Sequence, residues 1–272
     1  MDRQALIFLH IPKTAGTTLN RIIEWQYSPL SIFTVDPHGI RATPERFKTL
    51  SEQRRRQLQV VRGHMVYGIH EFLPQGATYI TMLRDPVSRL LSAYSFILRR
   101  PLNPMHRKLK RGQLGVEAFI RLTPNRQNLQ CRILAGVKDV NCDQRLLDVA
   151  KENITKSFSV VGLCERFEES LMLIANVFGW EIPYYENRKV SKVRPTLEPG
   201  VVNMIQEHNH LDMELYEFAR KRFEETLHQK KDVMRPALTN LDSVAKPGPV
   251  KRFCYSTVGA SRFLASKIAS AI

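Results

Sequence analysis

Short apolar runs alternate along the chain with longer stretches in which apolar residues return every three or four positions. Four of the runs have strand length: ALIFLHI (residues 5–11), LQVVRGH (58–64), TYITML (78–83) and SFSVVGL (157–163). The intervening spacing predicts helices. The clearest follows the RDP at 84–86: Asp85 can cap it, Pro86 suits its first turn, and Val87, Leu90, Leu91, Tyr94, Ile97 and Leu98 form one apolar stripe. Ser88, Ser92 and Ser95 take a different face. Another helix, RFEESLMLIANVFGW, stops at Gly179. Residues 200–229 predict one long helix or a broken pair, with Leu215, Ala219 and Phe223 inward. Past residue 230 the pattern fades into a linker or extended arm. Strands alternating with helices predict an α/β fold with a central, mostly parallel sheet flanked by helices.

In such a sheet, ligands bind beyond the carboxyl ends of the strands. The first run ends in PKTAGTT, the second in Gly63 and His64, the third in Arg84 and Asp85, and the fourth in Glu165 and Arg166. The first loop has the parts of an anion cradle. Gly16 lets the backbone approach closely, and a helix starting near Thr17 offers N–H groups and its positive dipole end. Lys13 adds a cation, and the threonines add hydroxyls. It is not a Walker A loop, which needs G-x-x-x-x-G-K-[ST]; here the lysine precedes the glycine. Arg84, with Ser92 two helical turns beyond it, can grip a second phosphate. Together the two loops imply a ligand with phosphates at two separated places.

HIPKTAGTT followed by RDPVSRLLSAY resembles the paired 5′-phosphosulfate and 3′-phosphate motifs of sulfotransferases that use 3′-phosphoadenosine 5′-phosphosulfate, PAPS. The likeness is to the carbohydrate branch with the heparan sulfate and uronyl 2-O-sulfotransferases, and continues in RGHM, QNLQCRILAG, VVGLCERFEESLMLI and LYEFARKRFE. The resemblance implies a P-loop-like three-layer fold over residues 1–230, with 231–272 as a basic C-terminal extension. It assigns Lys13 to the sulfuryl group and the leaving oxygen, and Thr14, Ala15, Gly16, Thr17 and Thr18 to the 5′ side. Arg84 and Ser92 are assigned to the 3′-phosphate, and Ser191, in the basic stretch 187–196, to a loop that closes over the nucleotide. His64 matches the catalytic base, and an imidazole suits the task of taking a hydroxyl proton near neutral pH. His10, His38, His70 and Asp36 are reserve candidates, and Arg132 is a candidate acceptor contact. PAPS is the expected sulfuryl donor, with no metal.

Charge adds an expectation about partners. Lys and Arg outnumber Asp and Glu by 41 to 26, a net +15, which favours anionic partners, so an acidic glycan is the expected acceptor. Residues 99–112 hold six Lys/Arg and no acid. A nucleotide-dependent phosphotransferase would need a true P-loop and Mg²⁺ ligands. A nucleic-acid-binding protein would interleave aromatics with its basic runs, and 99–112 has none, so no nucleic-acid partner is expected. Cys131, Cys142, Cys164 and Cys254 lack metal-binding spacing and read as reduced, mostly structural thiols, with a Cys131–Cys142 disulfide as the alternative in an oxidising compartment. No apolar run is long enough for a membrane-spanning helix. The chain opens directly on its first strand, where Golgi relatives carry an anchor, so a soluble, bacterial, cytoplasmic member is expected. The tail 250–272 mixes basic and apolar residues in a way that suits peripheral contact with an anionic membrane.

Overall fold

The computed structural model describes residues 4–36, 43–138, 142–182 and 197–230. Ser191, His38 and the tail from 231 lie outside them. Five parallel strands, β1 (Ala5–Leu9), β2 (Ile32–Val35), β3 (Val60–Gly63), β4 (Ala77–Leu83) and β5 (Phe158–Leu163), form one sheet in the order β2-β3-β1-β4-β5. The four predicted strands are all present. The fifth, β2, is a four-residue edge strand on β3 whose brief IFTV run carries little periodic signal.

β1 is buried at every position, as expected for a central strand covered on both faces. Its chain leaves toward β2, whereas those of its neighbours β3 and β4 leave the opposite way. This reversal opens the crevice at which doubly wound sheets bind ligands. The principal core joins the strands to α1 (Gly16–Gln26), α8 (Gln144–Ser157), α9 (Phe167–Phe178) and α11 (His210–Gln229). A second apolar cluster gathers Leu90 and Ile97 of α4 (Pro86–Leu98), Leu109 of α5 (Pro104–Arg111), Phe119 of α6 (Val116–Leu122) and Ile205 of α10 (Pro199–His208). Two short helices, α2 (Pro44–Lys48) and α3 (Glu52–Arg56), lead into β3.

The expected caps form. The Asp85 carboxylate accepts the Ser88 N–H at 2.7 Å to start α4, and Gly179 closes α9 at φ 65°. The long C-terminal helical pattern is a broken pair, α10 and α11, and the break serves α7 (Leu129–Ala135). Asn128, before α7, accepts the N–H groups of Leu211 and Asp212 in the first turn of α11. Asn209, before α11, accepts the Asn128 N–H in return. Each helix start is thus capped by the other, in a fully buried place where uncapped donors would cost about 1–3 kcal/mol each. Cys131 and Cys164 are free thiols, and burial pushes the Cys131 thiol up.

Candidate active site

Three adjacent strand ends, β3, β1 and β4, bring the predicted residues together. Between β1 and α1 the loop is wound through left-handed backbone at two non-glycine residues, Lys13 (φ 76°) and Ala15 (φ 60°). That conformation is uncommon for residues with a Cβ, and left-handed turns of this kind are a way for a loop to aim its backbone N–H groups at an anion. Thr14 is fully buried, and its hydroxyl donates to the Ile11 carbonyl at 2.8 Å, so it braces the loop from within. α1 begins at Gly16 with no side-chain cap and no acidic residue in its first turn. Its terminal donors and dipole therefore suit an external anion. Thr17 and Thr18 follow in that turn, Thr18 buried and Thr17 half-buried.

Gly16 has a second reason to be glycine. A Cβ there would lie 1.9 Å from Nε2 of His10, so the ring occupies the space a side chain would need. His10 is stacked between Phe8, at 5.4 Å, and His64, at 4.3 Å between ring centroids. His64 follows Gly63, whose φ of 130° and close approach to the Val35 carbonyl exclude any side chain. His64 Nδ1 lies 2.9 Å from the His10 backbone oxygen. A carbonyl only accepts, so Nδ1 carries the proton and Nε2 is the basic nitrogen of the neutral ring. A cavity of about 260 Å³ opens on both imidazoles, with Met65 and Ile133 as apolar walls. Glu45 and Lys138 also line it, exposed and 3.9 Å apart.

On the other side of β1, Arg84 leaves β4 and its Nη1 donates to the Lys13 carbonyl at 3.1 Å, joining the two predicted loops. Its Nε lies 3.9 Å from Glu165, which also accepts the Asp85 N–H and the Tyr216 hydroxyl. The Lys13 ammonium sits 4.2 Å from the Phe96 ring centroid. Phe96 and Ser92 are four residues apart on α4, so Ser92 shares the helix face that meets Lys13.

The reserve candidates separate. His10 belongs to the site. His70 does not: its Nδ1 is 2.9 Å from the Tyr79 hydroxyl on the earlier part of β4, away from the carboxyl ends. Asp36 follows Val35 at the end of the edge strand β2, and the Val35 carbonyl accepts the His64 N–H at 3.2 Å, so Asp36 stands beside the His64 strand end. Arg132 is not an acceptor contact: it is buried and donates to the backbone carbonyls of Asn125, at 3.0 Å, and Lys138, at 2.6 Å. Sequence reading missed Gln130, buried behind Arg84 and bonded to both its backbone groups. Its one signal was its place in QNLQCRILAG.

Residues 1–246 match the family model described as galactose-3-O-sulfotransferase. Heparan sulfate 2-O-sulfotransferase 1 of Pongo abelii is 25% identical over 256 residues, covering 82% of this chain and 71% of that protein. Human heparan-sulfate 6-O-sulfotransferase 1 is 25% identical over 194 residues, 60% of this chain and 47% of the relative, so the match spans about half the length of that relative. Among solved structures, a sulfotransferase from Alicyclobacillus acidocaldarius aligns with a TM-score of 0.46 at 14% identity, covering 80% of this chain and 95% of that one. With its cradle, basic strand ends and family match over most of its length, the chain belongs to the galactose-3-O-sulfotransferase family.

Proposed function

We propose that the protein transfers the sulfuryl group of PAPS to a hydroxyl of a carbohydrate acceptor. The observation that carries the reading is the arrangement about β1: a histidine with its basic nitrogen defined on one side, an uncapped helix start with Lys13 at the centre, and Arg84 on the other side. Such a row suits a nucleotide with a 5′ anion at the centre and a 3′-phosphate toward Arg84 and Ser92. The acceptor enters the 260 Å³ cavity, smaller than the roughly 300–1,000 Å³ of drug-sized sites, which suits one sugar unit with the rest of its chain outside.

His64 Nε2 takes the hydroxyl proton as that oxygen attacks sulfur. The bond from sulfur to the bridging phosphate oxygen breaks, and Lys13 and the N–H groups of the loop take up the charge left on 3′-phosphoadenosine 5′-phosphate, PAP. The relatives named for heparan sulfate and the galactose-3-O family support a glycan acceptor, and the net +15 supports an acidic one. Among the described residues, the free thiols of Cys131 and Cys164 fit a reducing, cytoplasmic compartment.

The test is sulfuryl transfer from radiolabelled PAPS to a panel of glycans. His64→Ala is expected to lower kcat by about 10²–10⁴-fold with PAP affinity retained. Wild type that does not bind PAP would overturn the donor assignment, and full activity in His64→Ala would overturn the base.

A further inference from the structure

β4 pairs with β5 only as far as Leu83 opposite Leu163, so the backbone of Arg84 lies past the end of the ladder. Gln130, fully buried in the first turn of α7, takes over both of its polar groups. Its Oε1 accepts the Arg84 N–H at 3.0 Å, and its Nε2 donates to the Arg84 carbonyl at 2.9 Å. An amide can do both at once because it carries a donor and an acceptor side by side, as a neighbouring strand would. Gln130 is itself anchored. The buried Asp212 carboxylate accepts the backbone N–H of Gln130 at 3.2 Å and that of Cys131 at 2.8 Å, and it pairs with Arg89 at 3.6 Å. Arg89 lies on α4, the helix that Asp85 starts immediately after Arg84. The contacts form a closed ring, from Arg84 through Gln130, Asp212 and Arg89 back to Arg84, behind the ligand-facing edge of the sheet. The Arg84 side chain instead reaches the Lys13 carbonyl.

We infer that Gln130 is a positioning residue for recognition of the 3′-phosphate: it aims Arg84 through its backbone without touching the ligand. This rests on the proposed donor, in which Arg84 holds that phosphate. A guanidinium fork discriminates only when its direction is fixed, and misplacement by about 1 Å can cost on the order of a hundredfold. An apolar residue at 130 would leave the Arg84 N–H and carbonyl without their partner and free the strand end to move.

The test compares the affinity of the full chain for PAP with that for adenosine 5′-monophosphate, which lacks the 3′-phosphate, by calorimetry. Wild type is expected to prefer PAP. Gln130→Met should reduce that preference by about ten- to a hundredfold, the loss falling mainly on PAP rather than on the monophosphate. Gln130→Glu should lose preference at pH 8 and regain it, relative to wild type at the same pH, as acid protonates the new carboxyl and restores a donor beside an acceptor. Partial unfolding weakens both nucleotides equally and cancels in the ratio. Should Gln130→Met fail to fold, the pH response of Gln130→Glu decides. Variants that retain the wild-type preference overturn the role of Gln130, whereas wild type with no preference for PAP overturns the donor assignment on which it rests.

Discussion

Gly16→Ala tests whether the His10 ring, rather than backbone freedom, is what demands glycine at the start of α1. The added methyl would lie 1.9 Å from His10 Nε2 and 2.0 Å from Cδ2, against an ordinary contact distance of about 3.5–4.0 Å. The ring must therefore retreat by roughly 1.6 Å or more, and His64, stacked 4.3 Å away, stands among the groups packed around it. Overpacking of this kind costs about 1–3 kcal/mol, which for a chain of this size lowers Tm by roughly 2–12 °C. A displaced His10 also moves the carbonyl and ring that orient His64, so kcat should fall by up to about a hundredfold. Urea unfolding and initial transfer rates measure the two effects, and His10→Ala supplies the control. In a His10→Ala background the Gly16→Ala change should cost less than about 0.5 kcal/mol, because the ring it struck is gone. A Gly16→Ala protein with wild-type stability and rate, or one whose penalty persists without the His10 ring, would refute the steric account.

Asp212→Ala should cost about 3–5 kcal/mol in chemical denaturation, since it strands a fully buried Arg89 and two helix N–H groups; a loss under about 1 kcal/mol would contradict the buried pairing. Lys138→Glu, at an exposed and loosely paired position lining the cavity, should raise KM for an acidic acceptor several-fold, leave KM for PAPS unchanged and alter stability by less than about 1 kcal/mol. That KM effect should shrink in high salt, and an effect independent of salt would argue against charge reading. Burial pushes the Cys164 thiol up to about 11, above the ordinary value of about 8.5. With the folded value the higher one, the stability that the protonated thiol contributes is complete below about pH 8.5 and is lost as pH rises through 11. A thiolate-absorbance titration compared with Cys164→Ser should place its transition there, and a transition near 8.5 would refute the burial.

Much of the fold was legible because its signals are local. The stop at Gly179 and the cap at Asp85 each depend on a few neighbouring residues, and both form as expected. β2 was not legible: four residues at a sheet edge carry too little periodicity, and its place depends on pairing with β3, almost thirty residues later in the chain. The winding of the first loop was hidden for a different reason. Left-handed backbone usually announces itself as glycine, but here it falls on Lys13 and Ala15, held by surrounding contacts rather than by residue type. The glycine that was visible, Gly16, has a negative or extended φ and owes its identity to a neighbouring ring as well as to the cradle.

Residue order alone determined which chemistry the strand ends carry: a lysine before a glycine, a glycine–histidine pair, and an arginine followed by a capped helix. Those are properties of short segments, written into the chain wherever each strand stops. Tertiary structure decided which of them meet. The β3-β1-β4 order sets His64 and Arg84 on opposite sides of Lys13, the ring stack brings His10 to the site and leaves His70 out, and a contact 46 residues away makes Gln130 the support of Arg84. Each of these depends on burial between distant segments, where the energy of a contact comes from excluding water around both partners and is invisible from either one alone.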